Sequence, residues 1–357
     1  MTYLKEKTKM RDSYFKRVEA LTATRFWINN VTEKEADLAL ENGAVGCTQN
    51  PSYTNKMLNH KDGNEAVLPI LDEIISRVDD DEKVEVELQR ALVKKISEHF
   101  LPLYEESQGE YGYVSVQGNP FRETTDEIVE NALFNREAGP NIMAKVPATE
   151  EGLEAIKILI PQGVPINATE VMSVAQAMDV CDIYDEAASK MSNPPKVYFS
   201  HIAGIFDEYM KGYVEDHNID VNSDYLFQGG LICSKKIDQM RNNRKSKVGF
   251  ISGGARSLYH FTEHVGGDVA ITINWNGSAD KLIELDGNVI DRFNAPANQS
   301  AVDSLLCNID EFRKAWLSNG LKPEEYEDYG PVVLFRTSFE KNWKEALEFI
   351  KNRRSGK

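Results

Sequence analysis

Lys145 sits inside an apolar run, with Ile142, Met143 and Ala144 before it and Val146 and Pro147 after it. An ammonium in that setting costs desolvation energy unless it is paired or gives up its proton. Burial lowers the amine pKa, and the neutral amine is the nucleophile that condenses with a carbonyl to a Schiff base. The competing reading is a strand-end lysine whose stem lets its head reach solvent, and the run alone leaves both open. Short polar groups follow other apolar runs: Asn29 and Asn30, Thr48-Gln49-Asn50-Pro51-Ser52, Gln117, Asn167 and Thr169, Ser200 and His201, Gly253-Gly254-Ala255-Arg256, and Asn274-Trp275-Asn276. The set is polar and mostly uncharged, and an arginine fork suits phosphate or sulfonate oxygens. His201 titrates near neutrality and is a candidate proton carrier, or else a strand-end histidine bonded to backbone. Gly253-Gly254 either bring amides close to an anion or make a plain turn. Trp27 and Trp275 read as packing ahead of a sugar-stacking platform.

Eight short apolar runs must place these groups: residues 24–29, 44–49, 112–117, 141–146, 163–167, 195–200, 247–252 and 268–273. Longer helical patterns separate them, which points to repeated βα units and a parallel sheet. Eight such units predict a (β/α)8 TIM barrel, in which the active site lies at the C-terminal ends of the strands. Thr149 precedes Glu150 and Glu151, and Thr32 precedes Glu33 and Glu35; both read as helix N-caps with acids in the first turn. Gly43 supplies a helix stop. Helical patterns cover about 64–78 and 82–106, a polar helical insertion lies near 219–242, and further helices over about 298–352 wrap or cap the barrel. Residues 1–357 are expected to form one domain, with the barrel over about 24–280, a helical extension over about 281–357 and an extra helix at the N-terminus.

Forty-one basic residues against 57 acidic ones give a net charge of −16. That surface repels nucleic-acid phosphates and anionic membranes, yet leaves room for one or two arginines to hold a small anion. Cys47, Cys181, Cys233 and Cys307 are scattered, with no zinc spacing, so no metal is expected and the thiols are expected to be reduced. Residues 1–19 lack the apolar run of a signal peptide, and no stretch reaches the roughly 20 apolar residues of a membrane span. A soluble, cytoplasmic protein is the expectation.

The stretch Met143–Ala177, which contains AKVPATEEG and INATEVMSVAQA, resembles the transaldolases and the related fructose-6-phosphate aldolases. Cys47-Thr48-Gln49-Asn50-Pro51-Ser52 is similar to their T-x-N-P-S/T segment. Tyr198-Phe199-Ser200 with Gly204 and Asp207 resembles their sixth strand, and Arg256 precedes His264-Val265-Gly266-Gly267-Asp268 at the family's usual distance. The resemblance touches all eight strands from about Arg25 to Ile273 and is poor beyond Asn276. It implies that Lys145 forms the imine, that Asn50, Asn167 and Ser200 bind substrate, that Thr169 helps to position a catalytic water and that Arg256 binds phosphate. No cofactor is implied.

The departures bear on the chemistry. The family's strand-1 aspartate, a general acid/base, falls on Asn29, which cannot carry a proton near neutral pH. Gln117 stands where transaldolases have Glu and the related aldolases have Gln. The family's strand-6 aromatic falls on Ile202, and its second phosphate-binding arginine on Ile205. The reading is therefore a transaldolase-like aldolase or transferase acting on a ketose or ketose phosphate through Lys145, with Asn29, Gln117, Thr169 and His201 as the remaining catalytic candidates. It moves or releases a dihydroxyacetone-type unit. A sugar-binding pseudoenzyme of the same fold, or another phosphate-binding barrel such as an isomerase, is the alternative. The expected partner is a sugar or sugar phosphate, and a homo-oligomer is compatible with the sequence.

Overall fold

The computed structural model describes residues 12–60 and 64–356. Eight parallel strands close into a barrel in chain order: β1 (Arg25–Asn29), β2 (Ala44–Gln49), β3 (Tyr113–Val116), β4 (Ile142–Pro147), β5 (Ile166–Val171), β6 (Val197–His201), β7 (Gly249–Ser252) and β8 (Ala270–Ile273). Helices lie between the strands, so the fold is the (β/α)8 TIM barrel expected from the sequence. The part of the charged N-terminal stretch before Asp12 lies outside the described residues. A helix at Tyr14–Leu21 precedes the barrel, and helices at Gln299–Asn308, Asp310–Trp316 and Gly330–Arg354 follow it. The insertion forms helices Ser223–Leu226 and Gly229–Arg244.

Local chemistry explains the helix starts. The Thr32 hydroxyl accepts from Glu35 N while the Glu35 carboxylate accepts from Thr32 N, a reciprocal cap. Thr149 Oγ1 accepts from Gly152 N at 3.2 Å. The turn between helix Glu150–Leu159 and β5 closes at Gly163, whose φ of +74° suits glycine. This turn sets a correction: β5 was expected over 163–167 but runs from Ile166 to Val171. Asn167 and Thr169 therefore lie within the strand, and its register on β6 slips between Ala168 and Val171.

The main core packs strands against helices, and a second cluster fills the N-terminal end of the barrel with Trp27, Val45, Tyr113, Met143, Ile251 and Ala270. A Cβ on Gly46 would come within 2.5 Å of the Trp27 ring, so glycine is what lets the indole plug that end. Trp27 is thus packing, far from the chemistry at the opposite mouth. Among the described residues no helix is long and apolar enough to cross a membrane, and no group of three or more His, Cys, Asp or Glu is placed to hold a metal ion.

Candidate active site at the barrel mouth

A cleft of about 470 Å³ opens at the C-terminal ends of the strands. Asn29, Asn50, Lys145, Ser200 and Arg256 line it, so the structure brings five of the sequence candidates together. A separate cleft of about 330 Å³ runs along helix Glu33–Glu41 and contains none of them.

Lys145 projects from β4, where its neighbour across the ladder is Asn167 of β5. It is buried, and burial pushes its amine down to about 8, with the Glu170 carboxylate acting against that shift. The Phe339 ring, on helix Gly330–Arg354, lies 5.9 Å from Nζ. Helix Gly330–Arg354 is held across the mouth by specific ties: Asn55 Nδ2 donates to Asn342 Oδ1 at 3.0 Å and to Glu345 Oε2 at 2.8 Å. Arg353 pairs with Asp72 and Arg354 with Asp81 at the helix's far end. Phe335, Ser338, Phe339 and Asn342 thereby line the cleft. The sequence reading had these helices wrapping the barrel but did not see Phe339 above the lysine.

Most groups of the polar floor are hydrogen-bonded to one another. Ser200 Oγ donates to Asn167 Oδ1 at 2.7 Å, and Asn167 Nδ2 donates to Ser115 Oγ at 3.2 Å. Thr48 Oγ1 donates to Asn29 Oδ1 at 2.8 Å, and Asn29 Nδ2 donates to Asn274 Oδ1 at 2.9 Å. Asn29 is a fixed hydrogen-bonding group with one N–H still available. Asn50 Oδ1 accepts from Asn30 Nδ2 at 2.8 Å and from Ser52 N at 3.0 Å. Asn167 and Thr169 are buried beneath this surface, and Thr169 Oγ1 has no hydrogen-bond partner among the described residues.

His201 is corrected. Alternation along β6 turns Ser200 inward and His201 outward to the helices. Its Nδ1 lies 2.9 Å from Val171 O and its Nε2 3.4 Å from Gly230 O. Burial holds the imidazole down to about 4, against the pull of these two carbonyls. The ring is a buried, neutral, backbone-bonded histidine and does not reach the cleft.

Besides Lys145, two cations among the described residues line the mouth, where the sequence pointed to Arg256 alone. Arg256 is half-exposed, with its Nε 2.5 Å from Glu208 Oε2. Lys56 donates to Asn30 O at 2.5 Å, and burial lowers its amine pKa. Its position four residues after Ser52, on a short helix entering the mouth, was the available signal. Ile202 and Ile205 make the apolar wall between Ser200 and Gly253-Gly254.

Gln117, expected at the end of the third strand, borders a small cavity of about 20 Å³ together with Glu123 and Lys145. Its Nε2 donates to Glu170 Oε1 at 2.8 Å and to Glu123 Oε1 at 3.4 Å. Glu123 and Glu170 had no place in the sequence reading, because an acid next to an apolar strand reads as a solvated surface.

Known proteins share this arrangement of sequence. A model of the transaldolase/fructose-6-phosphate aldolase family matches residues 26–324, well past the Asn276 at which the resemblance was expected to fade. A transaldolase of Thiobacillus denitrificans is 30% identical over 177 residues, covering 46% of this chain and 47% of that protein. A transaldolase of Saccharopolyspora erythraea is 33% identical over 179 residues, 47% of each chain. A transaldolase of Helicobacter pylori is 30% identical over 168 residues, 46% of this chain and 50% of that one. The aligned part spans about half the length of these relatives. The family model covers most of the chain, and on that match the chain belongs to the transaldolase/fructose-6-phosphate aldolase family.

Proposed function

We propose that the protein is a class I aldolase or transferase that forms a Schiff base between Lys145 and a ketose or ketose phosphate, and moves or releases a dihydroxyacetone-type unit. The observation that carries this reading is Lys145, the one buried lysine among the described residues, with its amine near 8, which lines a polar cleft at the mouth of the barrel. An amine near 8 is neutral in about a tenth of molecules at pH 7, enough to attack a carbonyl. Once formed, the iminium draws electrons from the bond between the two next carbons of the sugar, which breaks to give an enamine and, as the hydroxyl on the far carbon gives its proton to water in the cleft, an aldehyde. The enamine then adds to an acceptor aldehyde or is protonated and hydrolysed.

Support from the surroundings is specific. Asn29, Asn50 and Ser200 present donors and acceptors to hydroxyl groups, and Arg256 with Lys56 gives the mouth a positive pole for a phosphate or sulfonate. Asn29 binds a hydroxyl but takes no proton from it, which is the observation favouring a pseudoenzyme that only binds sugars. Transfer separates the two readings. The protein is incubated with fructose 6-phosphate and an acceptor aldose, and the products are resolved by mass. New ketose supports transferase action, released dihydroxyacetone supports the lyase, and neither product across a panel of ketoses leaves the binder.

A further inference from the structure

Near Lys145 lie two acids that the reading above does not use, Glu170 in the barrel wall and Glu123 in the loop after β3. Glu170 is fully buried in β5 and has a φ of +60°, a left-handed conformation that non-glycine residues adopt at a cost of order 1–3 kcal/mol. It sits where the register of β5 on β6 slips between Ala168 and Val171. Irregularities of this type re-aim a side chain, and they concentrate beside active sites. Here the carboxylate reaches Gln117, whose Nε2 donates to Oε1 at 2.8 Å. The same Nε2 lies 3.4 Å from Glu123 Oε1, so one amide bridges two carboxylates. Glu170 Oε2, Gln117 Oε1 and Thr169 Oγ1 are buried without a hydrogen-bond partner among the described residues. Alongside lies a cavity of about 20 Å³ bordered by Gln117, Glu123 and Lys145, which is the room one water needs.

Buried polar atoms without partners are uncommon, and three on adjoining side chains next to a strained residue call for an explanation. A purely structural acid at this position would be better replaced by an apolar residue. We propose that Glu170 holds the proton for imine formation at Lys145: it takes the proton that the lysine must lose before it attacks, and returns it when the hydroxyl leaves. This rests on the imine reading of Lys145. In this role Glu170 exchanges a proton with the reacting nitrogen and oxygen and is an acid/base residue.

The proton balance closes without another reactant. The ammonium of Lys145 passes a proton to the Glu170 carboxylate, leaving a neutral amine and a neutral acid. The amine adds to the carbonyl carbon, the C=O π bond opens, and one N–H proton moves to the oxygen to give a carbinolamine. The carboxyl proton then reaches that hydroxyl, the C–O bond breaks, and water leaves. An iminium remains beside the Glu170 carboxylate, so the charge pair present at the start, ammonium and carboxylate, is restored at the end. Burial raises the Glu170 carboxyl, while Gln117, Lys145 and Arg336 lower it and Glu327 raises it. Burial and the Glu170 charge raise Glu123, whereas Gln117 and Arg336 lower it. The groups facing the pair are therefore Gln117 and Glu123 beside β3, Lys145 of β4, and Glu327 with Arg336 from the C-terminal segment.

The test is the pH dependence of imine trapping. Wild-type protein and Glu170→Gln are incubated with dihydroxyacetone and cyanoborohydride between about pH 5 and 9, and the reduced adduct is followed by intact mass. Positioned acid/base groups are worth about 10²–10⁴-fold, so the maximal trapping rate of Glu170→Gln should fall by about 10²-fold or more. Its midpoint should also move to lower pH, because the ammonium has lost the carboxylate that favours it. Glu170→Asp should recover part of the rate. A Glu170→Gln protein with the wild-type maximum and midpoint overturns the proposal while leaving the imine reading intact; a wild-type protein that gives no adduct with any ketose overturns both. Should Glu170→Gln not fold, Gln117→Met keeps both acids and breaks their bridge. A tenfold or greater slowing is then expected, and a wild-type rate again overturns the proposal.

Discussion

The Phe339 ring lies 5.9 Å from Lys145 Nζ and ties the last helix to the proposed nucleophile. Phe339 is itself 1% exposed, so it keeps water off that side of the amine. Phe339→Ala should cost about 3–5 kcal/mol of stability in a denaturant melt. It should also let water reach Lys145, moving the pH midpoint of imine formation upward from about 8 toward the usual lysine range. A midpoint unchanged in a folded variant would show that the barrel wall alone sets the amine.

The positive pole at the mouth predicts a split by substrate charge. Arg256→Ala removes a charge-assisted bond worth about 1.5–3 kcal/mol, and should raise KM for phosphorylated ketoses by about 10–100-fold. Lys56→Met should act in the same direction. Glu208→Gln should do the opposite, because Glu208 occupies the Arg256 Nε at 2.5 Å. Exposed pairs of that kind are worth no more than about 1 kcal/mol, so KM should drop a few-fold at most. Steady-state kinetics with neutral and phosphorylated ketoses checks all three, and equal effects on neutral sugars would assign Arg256 and Lys56 to structure.

His201 gives a prediction about stability. Its imidazole is held down to about 4 in the folded chain, against about 6.5 when unfolded. The unfolded chain therefore binds more protons between these values, and stability is lost as pH falls through that window. His201→Asn should flatten this acid loss in thermal melts, and should leave the shape of any pH–rate profile near 6.5 as in the wild type. Loss of a kinetic limb near that pH would put the imidazole back in the chemistry.

Glu85 predicts the opposite slope. It is fully buried in helix Asp81–Glu106, and burial pushes it up to about 8, the Thr54 hydroxyl acting the other way. The folded chain thus holds a proton that the unfolded chain releases near 4.3, and the stability so gained is lost as pH rises from about 4.3 to about 8. The full effect is on the order of 5 kcal/mol. Glu85→Gln should remove this part of the decline, so that the variant gains on the wild type between pH 5 and 8. Parallel curves for the two proteins would contradict it.

The barrel was legible because its strands are buried on both faces, and such strands read as unbroken apolar runs. Seven of the eight were placed from those runs, and the Thr32 and Thr149 caps from their neighbours. β5 slipped because its middle, Asn167-Ala168-Thr169-Glu170, is mostly polar and reads as a loop, and only Gly163 closing the preceding turn marks where it starts. The same polarity hid Glu170: a carboxylate re-aimed by a register slip has no period in the sequence. His201 was misplaced by one step of alternation, since the pattern gave the end of β6 but not which of Ser200 and His201 faced inward. Phe339 reaches Lys145 because the last helix is tied across the mouth by pairings between distant parts of the chain, Asn55 with Asn342 and Arg353 with Asp72 among them, that no local pattern records.

The account turns on one nitrogen. Borohydride reduction with dihydroxyacetone or fructose 6-phosphate, followed by digestion and peptide mapping, locates any imine directly. The adduct should fall on the peptide containing Lys145, should form faster as pH rises toward about 8, and should be absent from Lys145→Met. A wild-type protein left unmodified by every ketose tried, or modified at another lysine, would contradict the central claim.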